Sequence, residues 1–350
     1  MTQYIGYVGT YTKQESKGVY QFTLDTEKKE IIDVKLAAEV SNPTYVTVSG
    51  DNENLYAVSK EGENGGVTAF SINEETGVLT RLNSDSTAGA NPCHVSVDHE
   101  SGTVVTANYH TTMIESYVTN EDGSLQSLVS SIEHAGSGPH ERQEKPHMHY
   151  AGFTPDGKYV IAIDLGSDRV YTYAVKNGEL SEAGVLETKP GSGPRHITFH
   201  ANGKFAYVMT ELSSEVLVLH YDGNDGSFSE QQYISTLPDD FKETNDGSAI
   251  NISADGQYVY AGNRGHNSIA VYKVDQDSGL LTFVEWTSTE GNWPRDFVMD
   301  PTGAFLVASN QKSNTLTLFG RDSESGKLEL LQSDVEVPEP VCVKFLNGEK

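Results

Sequence analysis

The chain has 350 residues, 24 basic and 50 acidic, for a formal net charge of −26. That balance excludes the basic footprint that nucleic acid requires and disfavours an anionic membrane surface, while a local cluster of arginines can still admit a small anion. Two cysteines without a disulfide framework or zinc spacing fit a reducing cytoplasm, and no signal peptide or run of about 18 apolar residues occurs.

Taken in chain order, "YIGYVGTY", "GVYQFTLD" and "IIDVKLAAEV" read as three strands. A repeating unit follows. It opens at Pro43 ("PTYVTVSGDNENLYAVS"), Pro92 ("PCHVSVDHESGTVVTANY"), Met148 ("MHYAGFTPDGKYVIAIDL"), Pro194 ("PRHITFHANGKFAYVMTE"), Gly247 ("GSAINISADGQYVYAGNR") and Pro294 ("PRDFVMDPTGAFLVASNQ"). Each copy holds an alternating strand, a turn built on Gly, Asp or Asn, and a second apolar strand. A third strand such as "SIAVYKV" and a short fourth such as "LLTFVEW" complete it. Starts lie 46 to 56 residues apart, the length of a four-stranded propeller blade, and no amphipathic helix intervenes. "EPVCVKFL" near the C-terminus supplies a first strand for the three at the N-terminus. The expected fold is therefore all-β: a seven-bladed β-propeller, residues 1–350 as one domain, closed by pairing the two ends of the chain, which leaves no open sheet edge. The WD signature is absent.

In a blade, the first strand lies nearest the channel, and its start shares a face with the end of the second. The start of strand one holds His149, Arg195, Ser248 and Arg295 in four successive units; the end of strand two holds Leu165, Glu211, Arg264 and Gln311. The position before that holds Asp164, Thr210, Asn263 and Asn310, with Asn108 in a similar place earlier. Any one of these fits a strand-end hydrogen bond or a solvated charge equally well. Together they differ from blade to blade and bring three arginines, a glutamate and a histidine to one mouth, the pattern of a concave polar site.

Other segments carry less. "EHAGSGPHERQEKPHMHY" lengthens one connection, overhangs the mouth and contains His134, His140, His147 and His149. His147 and His149 alternate along an extended segment and so point to opposite sides, which suits a general base at His149 supported by His147 better than a metal site; no metal ligand is assigned. "GSGP" at 136–139 and 191–194 lacks the Lys and the helix of a phosphate loop and reads as a turn. His266 in "NRGHNS" is as readily a loop donor as a ligand contact, and "LPDDFKETND" (237–246) reads as a solvated loop. No nucleophile elbow is present, and Cys93 has no evident base.

"GPRHITFHANGKFAYVMTEL", "GNRGHNSIAVY", "WPRDFVMDPTGAFLVASNQKSNTLTLF" and "PHMHYAGFTPDGKYV" resemble the seven-bladed-propeller 6-phosphogluconolactonase (lactonase) family, over nearly the whole chain. The same fold family includes fungal carboxy-cis,cis-muconate lactonizing enzymes. The resemblance implies functional roles for His149, Arg195, Glu211 and Arg264, with Arg295 as the family's second Pro-Arg; no role carries over to His134 or His140. The expected activity is hydrolysis of a small anionic sugar lactone without a cofactor, by a cytoplasmic monomer or weak oligomer. His149 would take the proton of water, and Arg195 or Arg264 would stabilise the oxyanion. Glu211 would orient these groups or act as the base itself. Arg295 would hold a phosphate or carboxylate, with His147, Asn310 and Gln311 as further substrate contacts. Muconate-type cycloisomerisation, a metal-dependent lactonase and a non-catalytic binding propeller are the alternatives.

Overall fold

A computed structural model describes residues 2–73, 75–98 and 100–348. Alternation of apolar and polar residues produces 28 strands and, among the described residues, no helix; none is therefore long and apolar enough to cross a membrane. The strands form seven four-stranded antiparallel sheets. Six are consecutive in sequence. The other joins Pro340–Phe345 to Gln3–Thr10, Gly18–Asp25 and Glu30–Glu39, with Gly6 opposite Phe345 and Val8 opposite Val343, so the chain ends close the ring as the sequence predicts.

We number the blades from this closing sheet. Blades two to seven begin at their innermost strands: Val46–Val48, His94–Asp98, Met148–Phe153, Pro194–Phe199, Asp246–Ile252 and Pro294–Met299. An apolar cluster fills each of the seven junctions between neighbouring blades; Tyr207 and Met209 of blade five, for instance, pack on Val259 and Tyr272 of blade six. A buried hydroxyl also reaches from one blade to a glycine carbonyl in the outer hairpin of the next: Tyr7 to Gly77 (2.7 Å), Tyr56 to Gly123 (2.9 Å), Tyr207 to Gly279 (3.1 Å) and Tyr260 to Gly326 (2.7 Å). These tyrosines bury their rings in the junction and satisfy their one polar atom across it.

The innermost strands depart from simple alternation at one place that matters for the site. In blades four to seven the pairing with the second strand slips between Met148 and Tyr150, Pro194 and His196, Gly247 and Ile250, and Pro294 and Asp296. A bulge of this kind turns two consecutive side chains toward one side. Arg195 and His196 thus both face the axis, as do Arg295 and Asp296. The channel is lined in levels. The mouth level includes Thr44, Cys93, His149, Arg195 and Arg295; below it come Tyr45, His94, Tyr150, His196 and Asp296; then Thr47, Ser96, Thr198, Asn251 and Lys344. Two cavities occupy the axis, ≈30 Å³ at the mouth and ≈220 Å³ beneath it, and Tyr45, His196 and Asp296 border both.

Candidate active site

Glu211 follows the second strand of blade five, where its backbone N–H donates to Gly193 O at 2.7 Å and so fixes the strand end beside Arg195. Its side chain is almost fully buried among three guanidinium groups. Oε2 lies 3.0 Å from Arg195 Nε and 2.6 Å from Arg264 Nη2, and Oε1 pairs with Arg142 Nη2. The first two arginines are fixed from behind by backbone carbonyls: Arg195 Nη1 donates to Ser248 O (2.7 Å) and Arg264 Nη2 to Gly247 O (2.6 Å). Burial works to raise the Glu211 carboxyl, but the charges of Arg264, Arg195 and Arg142 outweigh it and hold the group well below the usual carboxylate range. A carboxylate so held accepts a proton poorly. Its chemical capacity is to orient and balance the arginines rather than to act as a base.

His149 stands at the start of the innermost strand of blade four, buried, with its ring 5.2 Å from that of His196 and 5.9 Å from that of Tyr109. Nδ1 has no hydrogen-bond partner among the described residues. Burial, then the charge of Arg195, push its pKa well below the ordinary histidine value, so the imidazole is neutral at pH 7, the form from which a general base must start, while the same shift weakens it as a base. Burial, then Arg264, bring Arg195 down to about 10, still charged at pH 7. Arg295 has no carboxylate within ion-pair distance among the described residues. Its guanidinium lies over Tyr11, 5.5 Å from the ring centroid, and Nη1 donates to Gln311 Oε1 at 3.3 Å.

The expected group His149, Arg195, Glu211, Arg264 and Arg295 is therefore brought together at one end of the channel. Gln311 joins it as the partner of Arg295. Asn310 does not face the cluster's charges: its amide donates to Thr289 O (3.3 Å) and Thr317 Oγ1 (3.1 Å). Asn263 does comparable work one blade earlier, donating to Thr236 O at 2.9 Å, so this position is a repeated tie between blades and not a substrate contact of one blade. His147 also turns away. It stacks on Tyr109 at 4.1 Å, with Nδ1 2.8 Å from the Tyr109 carbonyl oxygen and Nε2 3.2 Å from Glu144. It supports His149 only through the Tyr109 ring between them. His266 bonds its own loop through Ser268, and His134 joins Thr112 O to the Tyr173 hydroxyl. Among the described residues no three His, Cys, Asp or Glu side chains are grouped as metal ligands.

Two participants are not legible in the repeat. Arg142 comes from the long connection into blade four and pairs with Glu211 and, at 2.9 Å, with Asp246 Oδ1. The segment 237–246 thus ends in an ion pair at the mouth instead of only in solvent. Trp293 adopts a left-handed backbone (φ 65°) and lays its indole 5.7 Å from the Arg264 guanidinium, with Lys312 on it at 3.4 Å. Cys93 lines the mouth beside His149, but burial pushes its thiol up to about 12. A neutral thiol there is a poor nucleophile.

Comparison with known proteins bears on the family and the fold. The sequence profile described as "Lactonase, 7-bladed beta-propeller" matches residues 5–345. The chain is 57% identical to the 6-phosphogluconolactonase of Bacillus subtilis (strain 168) over 347 residues, 99% of either chain. The structure of the periplasmic gluconolactonase PpgL of Pseudomonas aeruginosa superposes with a TM-score of 0.93 at 34% identity, covering 98% of this chain and 99% of that one. A protein from Lactobacillus plantarum superposes with a TM-score of 0.95 at 43% identity, covering 98% and 99%.

Proposed function

The chain belongs to the seven-bladed β-propeller lactonase family, and from that premise we propose that it hydrolyses a sugar lactone, 6-phosphogluconolactone or a close relative, to the open acid. The observation that carries the reading is the pairing of a neutral, unpartnered His149 with arginines held rigidly around Glu211.

Hydrolysis needs a water made nucleophilic and a place for the negative charge that develops on the carbonyl oxygen. His149 takes a proton from the attacking water as the O–C bond forms. Arg195 and Arg264 offer the developing oxyanion the N–H groups not already bonded to Glu211, Ser248 O and Gly247 O; because those bonds already orient the guanidinium groups, little reorganisation is needed as charge builds. The ring C–O bond then breaks, and the proton held by His149 passes to the departing alkoxide. Glu211 stays ionised throughout and keeps the two arginines in register. Arg295, which has no acidic partner, attracts the substrate's anionic group. Four arginines against Glu211 and Asp246, with Asp296 offset by Lys344 at 3.6 Å, leave the mouth with two positive charges on a chain of net charge −26. That local field suits an anionic substrate.

The test follows acid release from 6-phosphoglucono-1,5-lactone against its spontaneous rate. Acceleration by the wild type is expected, with losses of about 10²-fold or more in His149→Ala and in Arg195→Ala, the size seen when a catalytic base or an oxyanion donor is removed. No acceleration, or full activity in both variants, would overturn the reading.

A further inference from the structure

Of the three guanidinium groups around Glu211, one is built differently. Arg195 and Arg264 project from strand ends, are almost fully buried and are bonded to main-chain carbonyls. Arg142 projects from the connection before blade four, its side chain is 37% exposed, and its guanidinium is held by side chains, the carboxylates of Glu211 and Asp246 and the Tyr109 hydroxyl. The connection beneath it is firmly seated. Gln143 is fully buried and donates to Leu165 O (2.8 Å), and the Arg142 N–H donates to His140 Nδ1 (3.1 Å). The backbone is therefore a fixed platform, and the Arg142 side chain is an arm reaching across the mouth.

Its departure does not leave Glu211 without counter-charges, although Oε1 then needs water in place of the arm. Glu211 would keep Arg195 and Arg264 on Oε2, and Asp246, 17% exposed, can turn its carboxylate to water. The mouth cavity of ≈30 Å³ is lined by His149, Arg195 and Arg295. Among the groups at this end of the channel, the half-exposed arm held only through side-chain contacts is the one that moves most easily to meet a ligand.

We infer that Arg142 is an exchangeable arm that leaves Glu211 and Asp246 to grip the phosphate of an incoming phosphorylated lactone, and so sets the preference for phosphorylated over unphosphorylated substrate. This deepens the lactonase reading and rests on it. A phosphate monoester carries close to two negative charges at neutral pH, which matches the two uncompensated positive charges of the mouth. Its oxygens also accept two parallel guanidinium N–H bonds in the geometry that the two carboxylates now share. An unphosphorylated lactone offers nothing to replace them.

The experiment compares wild type, Arg142→Gln and Arg142→Lys on 6-phosphoglucono-1,5-lactone and on glucono-1,5-lactone, with inorganic phosphate as inhibitor and as calorimetric ligand. In Arg142→Gln the ratio of kcat/KM for the phosphorylated over the unphosphorylated lactone is expected to fall roughly tenfold or more, through KM, as for loss of a hydrogen bond to a charged group. Inhibition by phosphate weakens in parallel, and Arg142→Lys recovers part of both because it keeps the charge without the two-pronged geometry. An unchanged ratio, or equal losses on both lactones, overturns the assignment while leaving lactone hydrolysis intact. If the wild type accelerates neither lactone, the hydrolase reading fails by itself. Calorimetry then decides the role of Arg142: equal phosphate affinity in wild type and Arg142→Gln refutes it.

Discussion

At the scale of the residue, the site depends on a carboxylate that does no proton transfer. Glu211 is the counter-ion that permits Arg195 and Arg264 to be buried side by side, 3.0 and 2.6 Å from the same oxygen. Glu211→Gln keeps the shape and removes the charge, so two buried guanidinium groups face each other across a neutral amide. Breaking a buried pair in this way typically costs about 3–5 kcal/mol, because the abandoned charges are not resolvated. Urea unfolding of Glu211→Gln should show a loss of that order, with kcat reduced as the arginines shift. A change below about 1 kcal/mol, the worth of an exposed pair, would mean the cluster is wetter and looser than its burial implies. The same residue shows what a sequence reveals. Glu211 stands out because a charge occupies a slot that its sister blades fill with Leu165, Arg264 and Gln311. Whether it is a base or a counter-ion is not written in the sequence, since that depends on how many arginines surround it.

At the scale of the element, the innermost strand does two jobs: it packs one blade against the next and presents the catalytic groups. Gly247 shows how little room is left between them. A Cβ there would lie 2.3 Å from Thr210 O and 2.4 Å from the Met209 terminal methyl. The glycine is needed for close approach between blades five and six, and its carbonyl is the one that holds Arg264. Gly247→Ala must push the strand start away from blade five and carry that carbonyl with it. The expected outcome is a destabilisation of about 1–3 kcal/mol, as for overpacking, together with a fall in kcat/KM. Thermal unfolding and lactone kinetics on one preparation check both; an active, fully stable variant would show that Arg264 does not rely on this strand. The blade order, the turns and the closing strand are legible in the sequence because period-two alternation and the repeat spacing survive in every unit. The bulges after Met148, Pro194 and Pro294 are not, because alternation assigns His196 and Asp296 to the opposite face from Arg195 and Arg295. Arg142 is hidden for another reason: it lies in an insertion with no counterpart in the other units against which it can be aligned.

At the scale of the whole molecule, circular closure concentrates titratable groups on one axis, and this determines how the protein responds to acid. His94, His149 and His196 meet edge to face in the channel, the His196 ring centroid lying 5.3 Å from that of His94 and 5.2 Å from that of His149. All three are held well below the ordinary value of 6.5, first by burial, then by Lys344 for His94 and by Arg195 for the other two. As the pH falls below about 6.5 the unfolded chain binds protons at these positions and the folded one does not, so stability must decline with pH until the depressed folded values are reached. Each such histidine contributes at most about 1.4 kcal/mol per pH unit, so the three together give a slope of up to about 4 kcal/mol per unit. Burial lowers His110, His134 and His266 as well, which adds to the same sign. An opposing effect has to be weighed: a chain of net charge −26 repels itself, and acid relieves that repulsion. Ordinary carboxylates, however, take up protons near pH 4 and below, and their mutual repulsion at the surface is screened by salt over about 8–10 Å. Between pH 6.5 and 5 the buried histidines therefore dominate. Urea unfolding at pH 7.5, 6.5 and 5.5 should show stability falling by about 1 kcal/mol over the first step and about 3 kcal/mol over the second from the three axial histidines, little affected by added salt. His196→Gln should flatten that second step by about one proton's worth. A protein equally stable at pH 7.5 and 5.5, or one that gains stability on acidification, would show that surface repulsion and not the axial histidines governs the response.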